Sequence, residues 1–249
     1  MKIGISALLF NLDDAIEICK NERNINHIEI GIDNIEECKT LLTYEKLLKD
    51  LNISISIHLP MELNTCENIS YIRSSWIKFI NKIYDELKPL NIKYFNMHLG
   101  YAMTNRLIKN REKFLNNSLK FFNDNNLSKE IFISIENTYS NYGDFSNIGN
   151  KVEDFEYIFN NTKNKKLYFC YDTGHFLINK SNYIEKLTDN LKVVHLSDNN
   201  GIQDQHIGIG KGILNKKHIK DIMKINIDYL ILEMDFNHIK KTLINLKDL

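Results

Sequence analysis

Residues 53–60 read ISISIHLP. Isoleucine takes positions 53, 55 and 57, serine takes 54 and 56, and His58 continues the serine series. Side chains of a β-strand alternate faces with period two. One face of this strand is therefore greasy, and the other carries Ser54, Ser56 and a terminal imidazole. The same grammar recurs along the chain: IKYFNMHLG (92–100) leads to His98, IFISIEN (131–137) to Glu136, and LYFCYDTGH (167–175) to Asp172 and His175. LKVVHLSD (191–198) leads to His195 and YLILEMD (229–235) to Glu233, while DQHIGIGKG (204–212) adds Asp204 and His206. On the polar face the pattern groups Tyr94 and Asn96 with His98, Phe132 and Ser134 with Glu136, Tyr168 and Cys170 with Asp172, and Tyr229 and Ile231 with Glu233. Ile53, Ile55, Ile57, Phe95, Ile131, Ile133 and Leu230 fall on the other face, suited to packing under helices. A barrel lumen rising to a polar mouth has this asymmetry.

Outward from these runs, strand-like segments start near residues 2, 27, 53, 92, 131, 167, 192 and 228. They are short and mostly apolar on both faces, as buried parallel strands are. Helical periodicity fills the gaps, for example over 13–21, 43–51, 72–87, 106–122 and 237–246. Asp13, Thr43, Asp154 and Ser181 are short polar residues suited to helix starts. Strict β-α alternation implies a parallel sheet with right-handed crossovers. Eight units in 249 residues predict one α/β domain over 1–249, a closed (β/α)8 TIM barrel. An open doubly wound sheet ranks second, since the first strand–helix turn lacks GxGxxG.

Composition narrows the function classes. The hydrophobic fraction is 43% and the charged fraction 26%, with 32 basic and 32 acidic residues, so no domain-wide positive field draws in nucleic acid. No run of about 18 apolar residues predicts a membrane span. The N-terminal MKIGISALLF runs straight into a strand and lacks a signal-peptide cleavage pattern, so a cytoplasmic location is expected. Cys19, Cys38, Cys66 and Cys170 show no CxxC pairing and read as reduced thiols, Cys170 inside a strand. No obligate protein partner is evident. His27, His218 and His238 read as surface or helix residues, and Lys109, Arg111 and Lys113 as a solvated helix face. The glycines of GIGKG (Gly208, Gly210, Gly212) allow close backbone approach, but the phosphate-loop likeness is vague.

Imidazole and carboxylate are the ligands that zinc, manganese and iron take. A single histidine at a strand end is usually structural. Nine such groups on one rim would repel or compete for protons without a cation. The expected ligands are His58, His98, Glu136, Asp172, His175, His195, Asp204, His206 and Glu233. Asp204 and His206, at i and i+2, are expected on one side of an extended loop.

In this order the residues resemble the xylose isomerase-like barrel superfamily, and the set is most similar to the endonuclease IV branch (AP endonuclease family 2). That resemblance implies up to three zinc ions at the mouth of the barrel, with manganese or iron as substitutes, and hydrolysis of DNA at abasic sites. Glu136 would bridge two ions, while Asp204, His175 and His206 would hold the one nearest the leaving group. The chain departs from the branch in several places: DTGHF (172–176) stands for the usual DTCH, MHLGY (97–101) for HPG, and only residues 176–194 separate His175 from the next ligand. The loops at the ligand end are acidic or neutral, and only Arg73, Arg106 and Lys211 look placed to meet phosphate. The sugar isomerase and epimerase branch resembles part of the set, with one ion on Glu136, Asp172, His195 and Glu233. A sugar or sugar-phosphate would then be the substrate, and Glu136 and Glu233 the proton-transfer groups. A metal-binding barrel without catalysis, or an iron-dependent oxidative enzyme, is a third possibility.

Overall fold

Alternating Ile/Ser and Phe/Asn pairs place β-branched and aromatic side chains on a pleated surface that they fit well. In the computed structural model, which describes residues 1–128 and 130–247, these runs become ten strands: β1 (Lys2–Leu8), β2 (Ile25–Gly31), β3 (Ser54–His58), β4 (Tyr94–His98), β5 (Tyr101–Met103), β6 (Phe132–Glu136), β7 (Phe145–Asn147), β8 (Leu167–Asp172), β9 (Leu191–Leu196) and β10 (Tyr229–Leu232). The helices are α1 (Leu12–Asn21), α2 (Glu36–Leu42), α3 (Glu45–Asp50), α4 (Ser70–Leu87), α5 (Thr104–Phe122), α6 (Val152–Asn161), α7 (Thr173–Ile178), α8 (Tyr183–Leu187), α9 (Lys216–Met223) and α10 (Ile239–Lys247).

Eight strands close a parallel barrel in the order β1-β10-β9-β8-β6-β4-β3-β2. This is the (β/α)8 barrel that the alternation predicts. Register brings the strand ends level: Gly31 lies opposite His58, His98 opposite Glu136, and Asp172 opposite His195. The face assignment also holds. Ile53, Ile55, Ile57, Phe95, Ile133 and Leu230 are buried in the outer core with Ile131 packed against it, while Tyr94, Cys170, Val193 and Ile231 form a separate lumen cluster with Phe132 and Tyr229. Aromatic and aliphatic side chains thus fill much of the lower lumen, beside a buried polar column of His27, Glu29 and Ser56 from β2 and β3.

Some local expectations need correction. The loops after β4 and β6 pair as a small antiparallel sheet, β5 with β7, where plain loops were expected. Thr43 ends α2 rather than opening a helix, and Ser181 precedes the N-cap Asn182 of α8. Asp13 lies inside the first turn of α1, after the N-cap Asn11. Asp154 sits in the first turn of α6 and is buried. It explains why Arg111 is not a solvated-face residue: Arg111 Nε donates to Asp154 Oδ1 at 2.6 Å, and its Nη2 also reaches Asp154 and Asn150. This two-pronged ion pair ties α5 to α6, a geometry that favours arginine over lysine. Among the described residues no helix is long and apolar enough to cross a membrane.

Candidate metal centre

Six of the eight barrel strands, β3, β4, β6, β8, β9 and β10, each lead to one donor at the mouth, and α7 and the loop after β9 add His175, Asp204 and His206. All nine candidates meet there. Glu136, 1% exposed, is the hub. Its Oε1 lies 3.5 Å from His98 Nε2 and 3.1 Å from His175 Nδ1; its Oε2 lies 3.4 Å from His58 Nε2 and 3.3 Å from His195 Nδ1. Asn96 Nδ2 donates to Oε2 at 2.5 Å and is itself fixed by Ser134 Oγ, which donates to Asn96 Oδ1. His195 Nδ1 also stands 2.8 Å from Glu233 Oε2. Asp204 Oδ2 lies 3.1 Å from His175 Nε2 and 3.3 Å from His206 Nε2.

Three groups emerge. His58, His98 and Glu136 have ligand atoms within 4.8 Å of one another, and so do Glu136, Asp172, His195 and Glu233. His175, Asp204 and His206 make the third through the contacts just given. A further close set, Glu136, Cys170 and His195, lies directly beneath.

Ring orientation is set from behind. The Nδ1 atoms of His58, His175 and His206 sit 2.8, 2.8 and 3.0 Å from the carbonyl oxygens of Leu59, Asn137 and Glu233. A carbonyl only accepts, so Nδ1 carries a hydrogen and Nε2 is the nitrogen turned to the mouth. Asp172 caps α7 by accepting from His175 N at 2.5 Å. His206 has a φ of 47°, so the DQH segment kinks through the left-handed region at this residue instead of running extended. That kink turns the ring back onto Asp204.

Charges at this density perturb one another. Burial alone would raise the Glu136 carboxyl, but the imidazoles of His195 and His98 pull it well below the ordinary range. Burial pushes Asp172 up to about 8, with Glu233, Glu136 and Asp204 adding to the rise and His175 opposing it. His206 is raised to about 10, chiefly by its hydrogen bond to Asp204. Burial lowers His98 despite Glu136 beside it. Proton sharing leaves several atoms stranded: Asp172 Oδ2, Asp204 Oδ1, Glu233 Oε2 and both ring nitrogens of His98 are buried without a hydrogen-bond partner. Such atoms are expensive to leave unpaired in a protein interior, and imidazole–carboxylate donor sets of this kind suit divalent cations. The residues fit a metal centre.

A cavity of about 340 Å³ opens over these groups, lined also by Ser6, Leu8, Asp33, Leu59 and Met61, with no lysine or arginine among the described residues of its wall. Arg73 is occupied by the Glu67 carbonyl, and Lys211 Nζ lies 3.0 Å from His238 Nδ1 on the surface. Nor is GIGKG free to cradle a substrate anion. The amides of Gly210, Gly212 and Leu214 all donate to the buried Asp198 carboxylate, at 3.0, 3.0 and 2.8 Å.

Two residues were misread or missed. His27 is not on the surface; it is fully buried in the lumen on β2, with Nδ1 and Nε2 each 2.8 Å from Ser54 Oγ and Ser56 Oγ. Glu29, also fully buried, lies 2.8 Å from His195 Nε2. The signal was present, because NHIEIG (26–31) puts His27 and Glu29 on one face, but the polar series stops short of the strand end. His218 is a helix residue as expected, half-buried and stacked on Phe176, with Tyr171 Oη 2.7 Å from its Nε2.

The fold and mouth thus define a parallel barrel with a clustered imidazole–carboxylate centre above its lumen. Residues 11–245 match the family model described as xylose isomerase-like TIM barrel, and the chain belongs to that family. It is 30% identical over 236 residues to an uncharacterized protein of Methanocaldococcus jannaschii, covering 91% of this chain and 89% of that one. It is 25% identical to a probable endonuclease 4 of Mycoplasmopsis pulmonis, covering 72% and 70% of the two chains. Among solved structures, a D-tagatose 3-epimerase-like protein superposes with a TM-score of 0.84 over 100% of this chain and 96% of its own, at 23% identity, a likeness of fold.

Proposed function

We propose that this protein is a divalent-metal-dependent phosphoester hydrolase of the endonuclease 4 kind, with two or three ions held by His58, His98, Glu136, Asp172, His175, His195, Asp204, His206 and Glu233. One observation carries the reading: Glu136 turns its two oxygens to different imidazoles between two donor groups, and a third group, His175–Asp204–His206, stands beside them. Single-ion chemistry leaves most of these residues without a task. Bound divalent ions supply Lewis acidity that activates water and neutralises charge on a phosphoryl group, with zinc the best match to the donors. The chain's own part is positional: Asn96 holds Glu136, and backbone carbonyls hold three of the rings. Abasic-site DNA is the substrate that the likeness to endonuclease 4 suggests.

A second reading, a single-ion sugar or sugar-phosphate isomerase or epimerase, is favoured by the cavity wall, which offers no cation for a DNA backbone and includes Asp33. There Glu136 and Glu233 would transfer protons on either side of the substrate. Two assays on metal-loaded protein separate the readings: cleavage of an abasic-site duplex, and solvent deuterium incorporation into a panel of ketoses. Cleavage without exchange is the expected result. A fully loaded protein inert on the duplex but active in exchange would replace the first reading with the second.

A further inference from the structure

Glu29 has no part in the three donor groups, yet it is a fully buried carboxylate in the barrel lumen. Tyr94 Oη donates to its Oε2 at 2.6 Å and Ser56 Oγ at 3.4 Å. Beneath them His27 braces Ser56 and Ser54 at 2.8 Å each, so the β2–β3 side of the lumen is polar down to Ser54. The other oxygen, Oε1, is left facing His195 Nε2 at 2.8 Å, an ion-pair contact without the alignment of a full hydrogen bond.

His195 differs from its neighbours at the mouth. His58, His175 and His206 keep Nδ1 on a backbone carbonyl and turn Nε2 inward. His195 turns Nδ1 toward Glu233 and Glu136, at 2.8 and 3.3 Å, and Nε2 toward Glu29. Both ring nitrogens of His195 thus face carboxylates, which accept and do not donate; once an ion on the Glu233–Glu136 side takes the Nδ1 lone pair, the remaining hydrogen sits on Nε2 and Glu29 is its acceptor. Tyr94 matters because it occupies Oε2 and so commits Oε1 to the imidazole.

We infer that Glu29 is a positioning residue, which acts through His195 to select the nitrogen offered to the ion held with Glu136, Asp172 and Glu233. The inference rests on the metal-binding reading above. Carboxylates behind ligating imidazoles fix the tautomer and raise ligand basicity, and their loss weakens metal affinity by about 10–100-fold.

The test uses stripped full-length protein titrated with zinc against a chromophoric chelator, and long-range proton–nitrogen NMR of the histidine rings in the zinc-loaded protein. Glu29→Leu fills the volume without an acceptor; it should lose the Nε2–H form of His195 and bind zinc about 10–100-fold more weakly. Glu29→Gln keeps an acceptor oxygen, so it should retain that tautomer and lose less than about tenfold. Tyr94→Phe, close to isosteric, should shift both readouts in the direction of Glu29→Leu by a smaller amount. Wild-type affinity and tautomer in Glu29→Leu would overturn the inference while leaving the metal reading intact. If Glu29→Leu does not fold, a Glu29→Gln protein with its hydrogen on Nδ1 of His195 would overturn it equally. Absence of zinc binding by the wild-type protein would overturn both.

Discussion

At position 174 a Cβ would stand 2.6 Å from Ser197 Oγ and 2.9 Å from Asp204 Oδ1. Glycine here makes room for Asp204, which in turn reaches His175 and His206. Gly174→Ala should therefore leave the fold standing, since alanine is the better helix former by about 1 kcal/mol and both clashing atoms lie at side-chain tips. The strain falls on Asp204. We expect one fewer tightly bound equivalent of zinc by elemental analysis, with circular dichroism unchanged; full occupancy would show that Asp204 has slack. His27 allows a pH prediction. Burial, with Lys2 and Lys93 nearby, lowers its pKa to about 3, against about 6.5 in an unfolded chain. Below pH 6.5 the unfolded state binds this proton and the folded state does not, so stability falls as pH drops from 6.5 toward 3. The slope is about 1.4 kcal/mol per pH unit for one group. In chelator-treated protein, His27→Gln should flatten the urea-unfolding free energy between pH 6.5 and 5 by about 2 kcal/mol relative to wild type. Parallel lines for the two proteins would contradict the assignment.

The element that sequence patterns describe least well is the loop from Ser197 to Asn215, between β9 and α9. Its glycines suggest a phosphate loop, whereas Asp198 consumes the amides of Gly210, Gly212 and Leu214. A buried acid is legible in a sequence as an acid, but the partners that justify it are backbone groups more than ten residues away. Asp198→Ala should leave those donors unpaired, at about 2–4 kcal/mol in total after some rehydration. Hydrogen exchange should then rise at residues 210–214 ahead of the barrel strands; uniform protection in the variant would mean that the loop is held elsewhere. Strands read far more easily, because period two survives in any single run: Ile55, Ile57, Phe95 and Ile133 fall where the alternation puts them. β5 and β7 were not legible. Three-residue strands carry no period, and their pairing joins two loops some forty positions apart. Glu29 escaped for a related reason, since its meaning lies in a contact with β9 across the lumen that no local pattern encodes.

At the scale of the whole barrel, the closed order of strands gathers donors separated by 175 positions, from His58 to Glu233, onto one rim. Five imidazoles and four carboxylates crowd there, and among them are buried polar atoms without hydrogen-bond partners, which are costly in the folded chain. Any ion that binds the folded mouth and not the unfolded chain stabilises by mass action, about 2.7 kcal/mol when free metal is a hundred times its Kd. For a domain of this size that corresponds to a melting shift of about 5–10 °C. Chelation should lower Tm by that amount and excess zinc or manganese should restore it; a Tm indifferent to both would mean that the mouth satisfies itself by proton sharing. The number of ions then divides the chemistries. His98→Ala breaks the His58–His98–Glu136 group and leaves Glu136–Asp172–His195–Glu233 whole. In a multinuclear hydrolase it should remove one equivalent of metal and at least about a hundredfold of phosphoester cleavage. In a single-ion isomerase it would leave stoichiometry at one and exchange activity largely intact. Anomalous scattering from crystals of the two proteins counts the ions directly, and a single peak in both would transfer the argument to the sugar chemistry.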